Sequence, residues 1–257
     1  MSNVRPHKDM YQRAKQLETP SDSRQRMWRY MSTSRLQELL ELEQLYFRRV
    51  SRFGDGLEGR LTRRSRDRLR SWFVQHGSAP HIAEEEMRVY EGHSNAFFAN
   101  CWHMRNHESY LMWRAYATKG VAVQTTFERI QASFDKTPHT VDGGVVSYVD
   151  FEREHTGLGQ VFTHVTTKDL PYEDEREFRL LLWTHDPANV SLQGAGDGAL
   201  VNVDTRMLIE RVVRNPFQAS LPHALSARLE ELEIPYDDSG VKYLVESQQS
   251  HIGPSGA

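Results

Sequence analysis

The chain has 257 residues, enough for one large domain with a substantial core. Its 32 Lys and Arg against 35 Asp and Glu give a formal net charge of −3, which excludes a globally basic nucleic-acid binder but permits a local basic patch. A lone cysteine, Cys101, permits no internal disulfide and favours a reducing compartment, and no run approaches the roughly 18 apolar residues of a membrane span. We therefore expect a soluble, cytoplasmic protein without membrane contact.

The pattern of apolar residues predicts a single α+β domain over residues 27–246, built on a curved, mainly antiparallel sheet with peripheral helices. A polar N-terminal arm (1–26) and a disordered tail (247–257) flank it. Strands are expected near 27–31, 45–48, 97–102, 121–126, 145–149, 177–183 and 208–214. Helices are expected near 34–43, 60–76, 80–91, 128–135 and 217–233.

The stretch from Phe97 to Phe127 forms the centre of the predicted fold. It is typical of a buried strand, an amphipathic helix opened by Glu108 and Ser109, and a second strand. Gly120 is expected to end this helix in a left-handed conformation. Further along the chain, residues 142–144 (Asp-Gly-Gly) are expected to turn into the next strand.

Arg29 lies between two aromatic residues of the first predicted strand, and side chains alternate along a strand. If Trp28 and Tyr30 face the core, Arg29 therefore points to the outer face. There it is either a surface charge or a guanidinium fork for a phosphate or diphosphate.

The segment 48–70 is rich in arginine, with nine arginines against three acidic residues. One interpretation is a solvated helix paired with the acidic run Glu84 to Glu86. The rival interpretation is a surface for the phosphate backbone of a nucleic acid. The candidate contacts for that surface are Arg60, Arg63, Arg64, Arg66 and Arg70.

The most suggestive motif is Glu175-x-Glu177-x-Arg179, which is expected to place three charges on one face of a strand. Three such charges cannot be buried cheaply without partners, so they line either solvent or a polar cleft. In a cleft, the two glutamates would form a carboxylate pair that orients a substrate hydroxyl and stabilises a cationic transition state.

Other reactive residues form weaker patterns. His103 and His107 have the spacing of two metal ligands but no third ligand, so we predict no metal site. Cys101 lies in an apolar strand, where a thiol behaves as a small hydrophobe. The glycine-rich run 194–198 does not follow a clear βαβ unit, so no dinucleotide loop is expected there.

Several blocks, in order, resemble the bacterial domain of unknown function 2971 family. These blocks span roughly residues 27–245 and are Trp28-Arg29-Tyr30-Met31-Ser32, Leu45-Tyr46-Phe47, 53–59 (FGDGLEG), Cys101-Trp102, Glu108-Ser109, Met112-Trp113, Tyr116, 120–123 (GVAV), Lys168, Glu175-x-Glu177-x-Arg179 and 212–216 (VVRNP). Where that family usually has Asn-Asp-Pro-Phe-Glu, this chain has a looser turn that keeps Asp55 and Glu58.

The layout also resembles that of ADP-ribosyltransferases, which open strand–helix–strand with a basic residue on the first strand and carry a catalytic glutamate at the start of a later one. This resemblance implies NAD as the donor and, as catalytic residues, Glu177 at the ribose and Glu175 at the acceptor. It implies a cofactor site made by Arg29 at the diphosphate, Tyr46 or Trp113 on nicotinamide, and Tyr30 and Ser32. The other expected polar cleft residues are Asp55, Glu58, Glu108, Lys168 and Arg179.

The resemblance implies an ADP-ribosyltransferase acting on a nucleic acid or protein, with a role in phage defence. A second hypothesis is a non-catalytic nucleic-acid-binding or sensor module whose carboxylates are tied to Lys168 and Arg179. A third is a hydrolase of a nucleotide or nucleic acid in which a divalent cation binds Asp55, Glu58 and the two later glutamates. The observation that best separates these hypotheses is whether Arg29 and Glu177 share one cleft.

Overall fold

The computed structural model describes residues 17–54, 56–157 and 161–241, with the backbone of Tyr11–Gln12. The strands are β1 (Tyr11–Gln12), β2 (Arg26–Ser32), β3 (Gln44–Arg49), β4 (Phe97–Met104), β5 (Gly120–Thr126), β6 (Val141–Val145), β7 (Ser147–Val149), β8 (Thr167–Asp169), β9 (Glu177–Trp183), β10 (Gly198–Asn202), β11 (Arg211–Arg214) and β12 (Tyr236–Asp238). The α-helices are α1 (Thr33–Leu42), α2 (Arg63–Gln75), α3 (Pro80–Glu91), α4 (Tyr110–Tyr116), α5 (Phe127–Ser133), α6 (Thr205–Leu208) and α7 (His223–Glu231). The predicted tail and Asp55 lie outside the described residues.

The main sheet is mixed and mostly antiparallel. Its strand order is β1-β6-β9-β4-β2-β5-β11-β12, and β3 joins it by pairing with both β4 and β10. Only the outer pairs β1–β6 and β11–β12 of this sheet are parallel among the described strands. The predicted α+β class with a mainly antiparallel sheet is therefore confirmed.

One face of the sheet carries the largest apolar cluster of the described core, and α1 shows how local sequence builds it. Ser32 caps the helix by accepting a hydrogen bond from the Arg35 N–H, and Leu36, Leu39 and Leu40 are buried at helical spacing. Glu43 takes a left-handed conformation (φ 49°) that ends the helix and leads directly into β3. The result is the predicted strand–helix–strand opening.

The sheet forks where β2 and β3 meet β4. The beginning of β2 pairs with the C-terminal end of β4, through Met27 with Met104 and Trp28 with His103. β3 pairs with the other end of β4, through Arg48 and Arg49. Residues 100–102 of β4 lie between these two contacts, and no described strand pairs with them on that edge. A space therefore remains open within the sheet.

Three sequence-based expectations about backbone are wrong. Gly120 does not end a helix but begins β5, where a Cβ would lie 2.1 Å from the Met31 carbonyl oxygen, so the close approach of β2 requires glycine. Residues 142–144 lie inside β6 rather than in a turn. Glu175 ends a 3₁₀ helix (Leu170–Glu175), and Arg176, at φ 41°, turns the chain into β9.

The predicted N-terminal arm partly joins the fold. Tyr11–Gln12 pair in parallel with β6. Leu17 is buried, and the Glu18 carbonyl accepts a hydrogen bond from the Val145 N–H. Residues 1–10 and 13–16 lie outside the described residues.

Candidate functional site

A cavity of about 620 Å³ occupies the fork between β2, β3 and β4, and we call it the cleft. Its wall contains these residues from the predicted site: Arg29, Tyr30, Tyr46, Glu58, Lys168, Glu175 and Glu177. It also contains residues that the sequence analysis did not assign to the site, among them Arg48, Asn100, Cys101, Trp102, His103, Tyr116 and Tyr172. Arg29 and Glu177 thus share one cleft.

Strand register brings groups from both faces of the sheet to this space. Trp28 lies opposite His103, which lies opposite Glu177, so Tyr30 and Glu177 belong to one face. Arg29 belongs to the other face, with Met27 and Met31 of the main core. The expected position of Arg29 on an outer, solvated face is therefore wrong, because β2 is buried on both sides.

Arg29 is a buried cation with no carboxylate beside it. The structure gives it no ion pair within the described residues, and its Nη1 is buried without a hydrogen-bond partner. Its guanidinium carbon lies 6.0 Å from the centre of the Trp102 ring. Burial lowers the pKa of Arg29 to about 10, which leaves it charged at neutral pH. Such a group is suited to binding an anion.

Five charged residues form a buried charge network at the cleft, namely Glu58, Lys168, Glu175, Glu177 and Arg179. The Lys168 Nζ lies 2.6 Å from Glu175 Oε2 and 3.3 Å from Glu58 Oε1. The fully buried Arg179 lies 2.7 Å from both Glu58 Oε2 and Glu177 Oε2. Three carboxylates therefore face two cations, and the network carries an excess of one negative charge when all five are ionised.

Glu177 is ionised in this setting. Burial by itself would raise the pKa of its carboxyl, but Arg179 and Lys168 outweigh burial and lower that pKa. Burial by itself would lower the pKa of Arg179 and of Lys168. The carboxylates of Glu177 and Glu58 outweigh burial, and the pKa of both cations is raised. Glu58 differs, because burial dominates and raises the pKa of its carboxyl.

Hydrogen bonds hold Glu177 from both its backbone and its side chain. Its N–H donates to the Tyr148 hydroxyl over 2.8 Å, and the Cys101 thiol donates to its carboxylate. Burial and the charge of Glu177 raise the pKa of Cys101 well above the usual value, so the thiol stays protonated. The sequence-based interpretation of Cys101 as a small hydrophobe is therefore only partly right, because the thiol lines the cleft and donates a hydrogen bond to Glu177.

His103 is a cleft residue whose role the sequence did not reveal. Its Nδ1 donates to the Glu175 carbonyl, which fixes the tautomer and leaves Nε2 as an acceptor without a partner. Burial lowers the pKa of His103, so the ring is neutral at neutral pH.

Further cleft residues also carry unpaired buried polar atoms. Asn100 donates to the Tyr46 carbonyl over 2.7 Å, but its Oδ1 has no partner, and neither does Trp102 Nε1. Buried polar atoms are nearly always hydrogen-bonded, so the donors and acceptors left open beside this cavity are available to water or to a polar ligand. Asn100 was visible in the sequence as the one amide within the apolar run 97–102.

Several predicted residues do not line the cleft. Ser32 caps α1, and Trp113 is fully buried with its Nε1 donating to Glu108 Oε2, so it has no free face for nicotinamide. Glu108 also accepts hydrogen bonds from the Ser239 hydroxyl and the Gly240 N–H, and so holds the segment that follows β12. Arg179 does not line the cleft, but it binds Glu58 and Glu177, which do.

The predicted nucleic-acid contacts fall into two groups. Arg70 pairs with Glu84, as the interpretation of a helix paired with the acidic run expects, whereas Arg63 pairs with Glu152 and Arg66 with Glu91, both outside that run. Arg60 and Arg64 have no ion pair within the described residues, and the same holds for Arg68.

Comparison with known proteins adds no family or fold relative, since no family model, no curated protein and no solved structure matches the chain. The described helices include none long and apolar enough to cross a membrane. No group of three or more His, Cys, Asp or Glu in the described part of the chain is arranged to hold a metal ion.

Proposed function

We propose that the cleft binds NAD and that the protein transfers ADP-ribose from it to an acceptor. The observation that carries this proposal is the presence in the wall of one cavity of Arg29, a cation with no ion pair among the described residues, and Glu177, an ionised carboxylate. NAD combines an anionic diphosphate with a ribose on which positive charge develops when nicotinamide leaves. A site for this reaction needs both kinds of group.

Arg29 and Arg48 are the residues that we assign to bind the diphosphate of NAD. Both line the cleft and neither has an ion pair among the described residues. A guanidinium matches phosphate oxygens in geometry and charge, and a ligand phosphate would also supply the partner that Arg29 Nη1 lacks. Tyr46, which also lines the cleft, is the ring we assign to stack on a base or on nicotinamide.

Glu177 is the residue that we assign to stabilise the positive charge on the ribose. When the bond between ribose C1′ and nicotinamide breaks, its electron pair leaves with nicotinamide and positive charge develops on the ribose. A fixed, ionised carboxylate in a partly desolvated cleft favours that charge. Arg179, Cys101 and the backbone bond to Tyr148 keep Glu177 in place, so little reorganisation is needed during the reaction.

The acceptor must lose a proton as it bonds to C1′. Both oxygens of Glu175 already accept hydrogen bonds, from Tyr116 over 2.8 Å and from Lys168 over 2.6 Å. We therefore assign the proton to the neutral Nε2 of His103, which has no partner and lies opposite Glu177 in the register. Glu175 remains a positioning residue.

The non-catalytic hypothesis is favoured by one observation. The carboxylates are tied to Lys168 and Arg179, as a purely structural network would be. A cleft of this kind could bind a nucleotide as a sensor without turning it over. Binding and turnover must therefore be measured separately.

The test is calorimetric titration with NAD together with chromatographic detection of released nicotinamide, water serving as a slow acceptor. Glu177→Gln should bind NAD nearly as wild type does and lose about 10²–10³ in rate, or roughly 2.7–4 kcal/mol of transition-state stabilisation. The matched control is Glu173→Gln, the same chemical change at an exposed residue outside the cleft wall. Thermal melts check that the variant still folds. If Glu177→Gln does not fold, Glu177→Asp is the second variant, because it keeps the negative charge and shortens the side chain.

Three outcomes are distinct. NAD binding with turnover that depends on Glu177 supports the transferase. Binding without turnover in the wild type supports the sensor hypothesis instead. Absence of NAD binding by a folded wild-type protein would refute the transferase proposal and, for NAD, the sensor hypothesis.

A further inference from the structure

The exposed side of α2 carries a basic and aromatic surface separate from the cleft. Arg64 and Arg68 are exposed on this helix, and the structure shows no ion pair for either among the described residues. Arg60, exposed in the preceding turn, likewise has none. In contrast, Arg63, Arg66 and Arg70 on other sides of α2 are all paired with glutamates. The positive charge on one side of this helix is therefore not neutralised by any described residue.

Trp72 continues the line of the two arginines. It is 50 % exposed, although burying a tryptophan releases more apolar surface than burying any other side chain. Its ring stacks on His76 with centroids 4.2 Å apart and planes 26° apart. Residues four apart share a helix face and lie about 6 Å apart along the axis, so Arg64, Arg68, Trp72 and His76 form one stripe, the α2 stripe.

We propose that the α2 stripe, with Arg60, binds a single-stranded nucleic acid. Unpaired arginines in a row track a phosphate backbone, and an exposed flat ring offers a stacking platform for an unpaired base. A duplex hides the faces of its bases, so the exposed ring favours single strands. The inference is independent of NAD and of the cleft. If both proposals hold, the strand bound here is the acceptor class for the transferase.

The test is fluorescence anisotropy with labelled single-stranded DNA and RNA of about 20 nucleotides, longer than one module usually covers, without NAD and over a salt series. The triple change Arg60→Gln, Arg64→Gln and Arg68→Gln should weaken binding at least tenfold at low salt. It should also flatten the plot of log K against log salt by about 2, since each lost phosphate contact on a single strand contributes about 0.7.

The matched control also removes three positive charges, all from α2, through Arg63→Gln, Arg66→Gln and Arg70→Gln. Because those arginines are ion-paired, binding and salt slope should change far less, and thermal melts check the packing of α2 on α3. Trp72→Ala should weaken binding about five- to hundredfold without changing the slope, because stacking carries no charge. Val89→Ala, at an exposed residue of α3, should have no effect.

Four results would overturn the inference. Equal losses in the two triple variants would show attraction to net charge rather than to the stripe. Binding indifferent to Trp72, or equal affinity for a duplex of the same length, would remove the unpaired base as the ligand. No binding at low salt would leave the stripe without a nucleic-acid partner and point to an acidic protein.

Discussion

Replacing Arg29 by methionine should stabilise the protein and abolish its affinity for NAD. The guanidinium is held in the protein interior without an ion pair among the described residues, and burial lowers its pKa to about 10. Arg29 is protonated at pH 7 in both the folded and the unfolded chain, because both pKa values lie well above 7. The full cost of burying the charge therefore opposes folding at neutral pH.

The size of the effect follows from that pKa. Its fall to about 10 corresponds to about 3 kcal/mol, at about 1.4 kcal/mol for each tenfold change in the dissociation constant. Arg29 is only half-buried as a whole residue, and solvent reaching the side chain reduces this cost. We expect Arg29→Met to raise the free energy of unfolding by about 1–2 kcal/mol, or a melting temperature by roughly 2–8 °C for a chain of this size.

The assay combines urea unfolding with thermal melts in the presence and absence of NAD. Wild type should gain stability with NAD as ligand binding requires, whereas Arg29→Met should start higher and gain nothing. Arg64→Met, at an exposed and unpaired arginine, is the control and should change neither quantity. A destabilised Arg29→Met that still responds to NAD would refute the assignment of Arg29 as an anion site.

Two further predictions concern stability and the cleft wall. Burial and the nearby His93 lower the pKa of His164 to about 4, so the stabilising contribution of the neutral ring should be complete above about pH 6.5. As the pH drops towards 4 the unfolded chain binds a proton that the folded chain does not, and the free energy of unfolding should fall by up to about 3 kcal/mol. Urea unfolding at about pH 7 and about pH 5 should show a loss of stability in wild type and not in His164→Phe, and equal losses would contradict the prediction. Gly198→Ala would place a Cβ 2.2 Å from the Tyr46 ring, so it should cost about 1–3 kcal/mol in stability and weaken NAD binding. Gly196→Ala is the control, because its Cβ would have nothing within 4 Å, and it should change neither quantity in the same unfolding and titration measurements.

The sequence by itself determined the local elements of the opening unit and the order of its key residues. Ser32 followed by leucines at helical spacing specifies α1, because a cap and an apolar stripe are local properties. The alternation of β9 likewise placed Glu177 at the start of a strand, and the composition of 48–70 marked α2 as basic. None of this depends on distant contacts.

The tertiary structure alone decided where the cleft is. The fork exists because β4 pairs with β2 at one end and β3 at the other, and strand pairing between distant segments is not written in the alternation of either strand. The same holds for facing, since β2 is buried on both sides and alternation cannot tell which side Arg29 takes. His103 became a site residue only through its register with Glu177.

Charge partners are likewise a matter of three-dimensional proximity. The sequence did not distinguish Arg64 from Arg66 and Arg70 as a candidate contact, and it did not single out Arg68. The fold places a glutamate beside Arg66 and Arg70 and none of the described glutamates beside Arg64 or Arg68. Similarly, the Glu175-x-Glu177 spacing predicted two carboxylates on one face of a strand. The left-handed turn at Arg176 separates them, because it takes Glu175 out of the strand and leaves Glu177 in it.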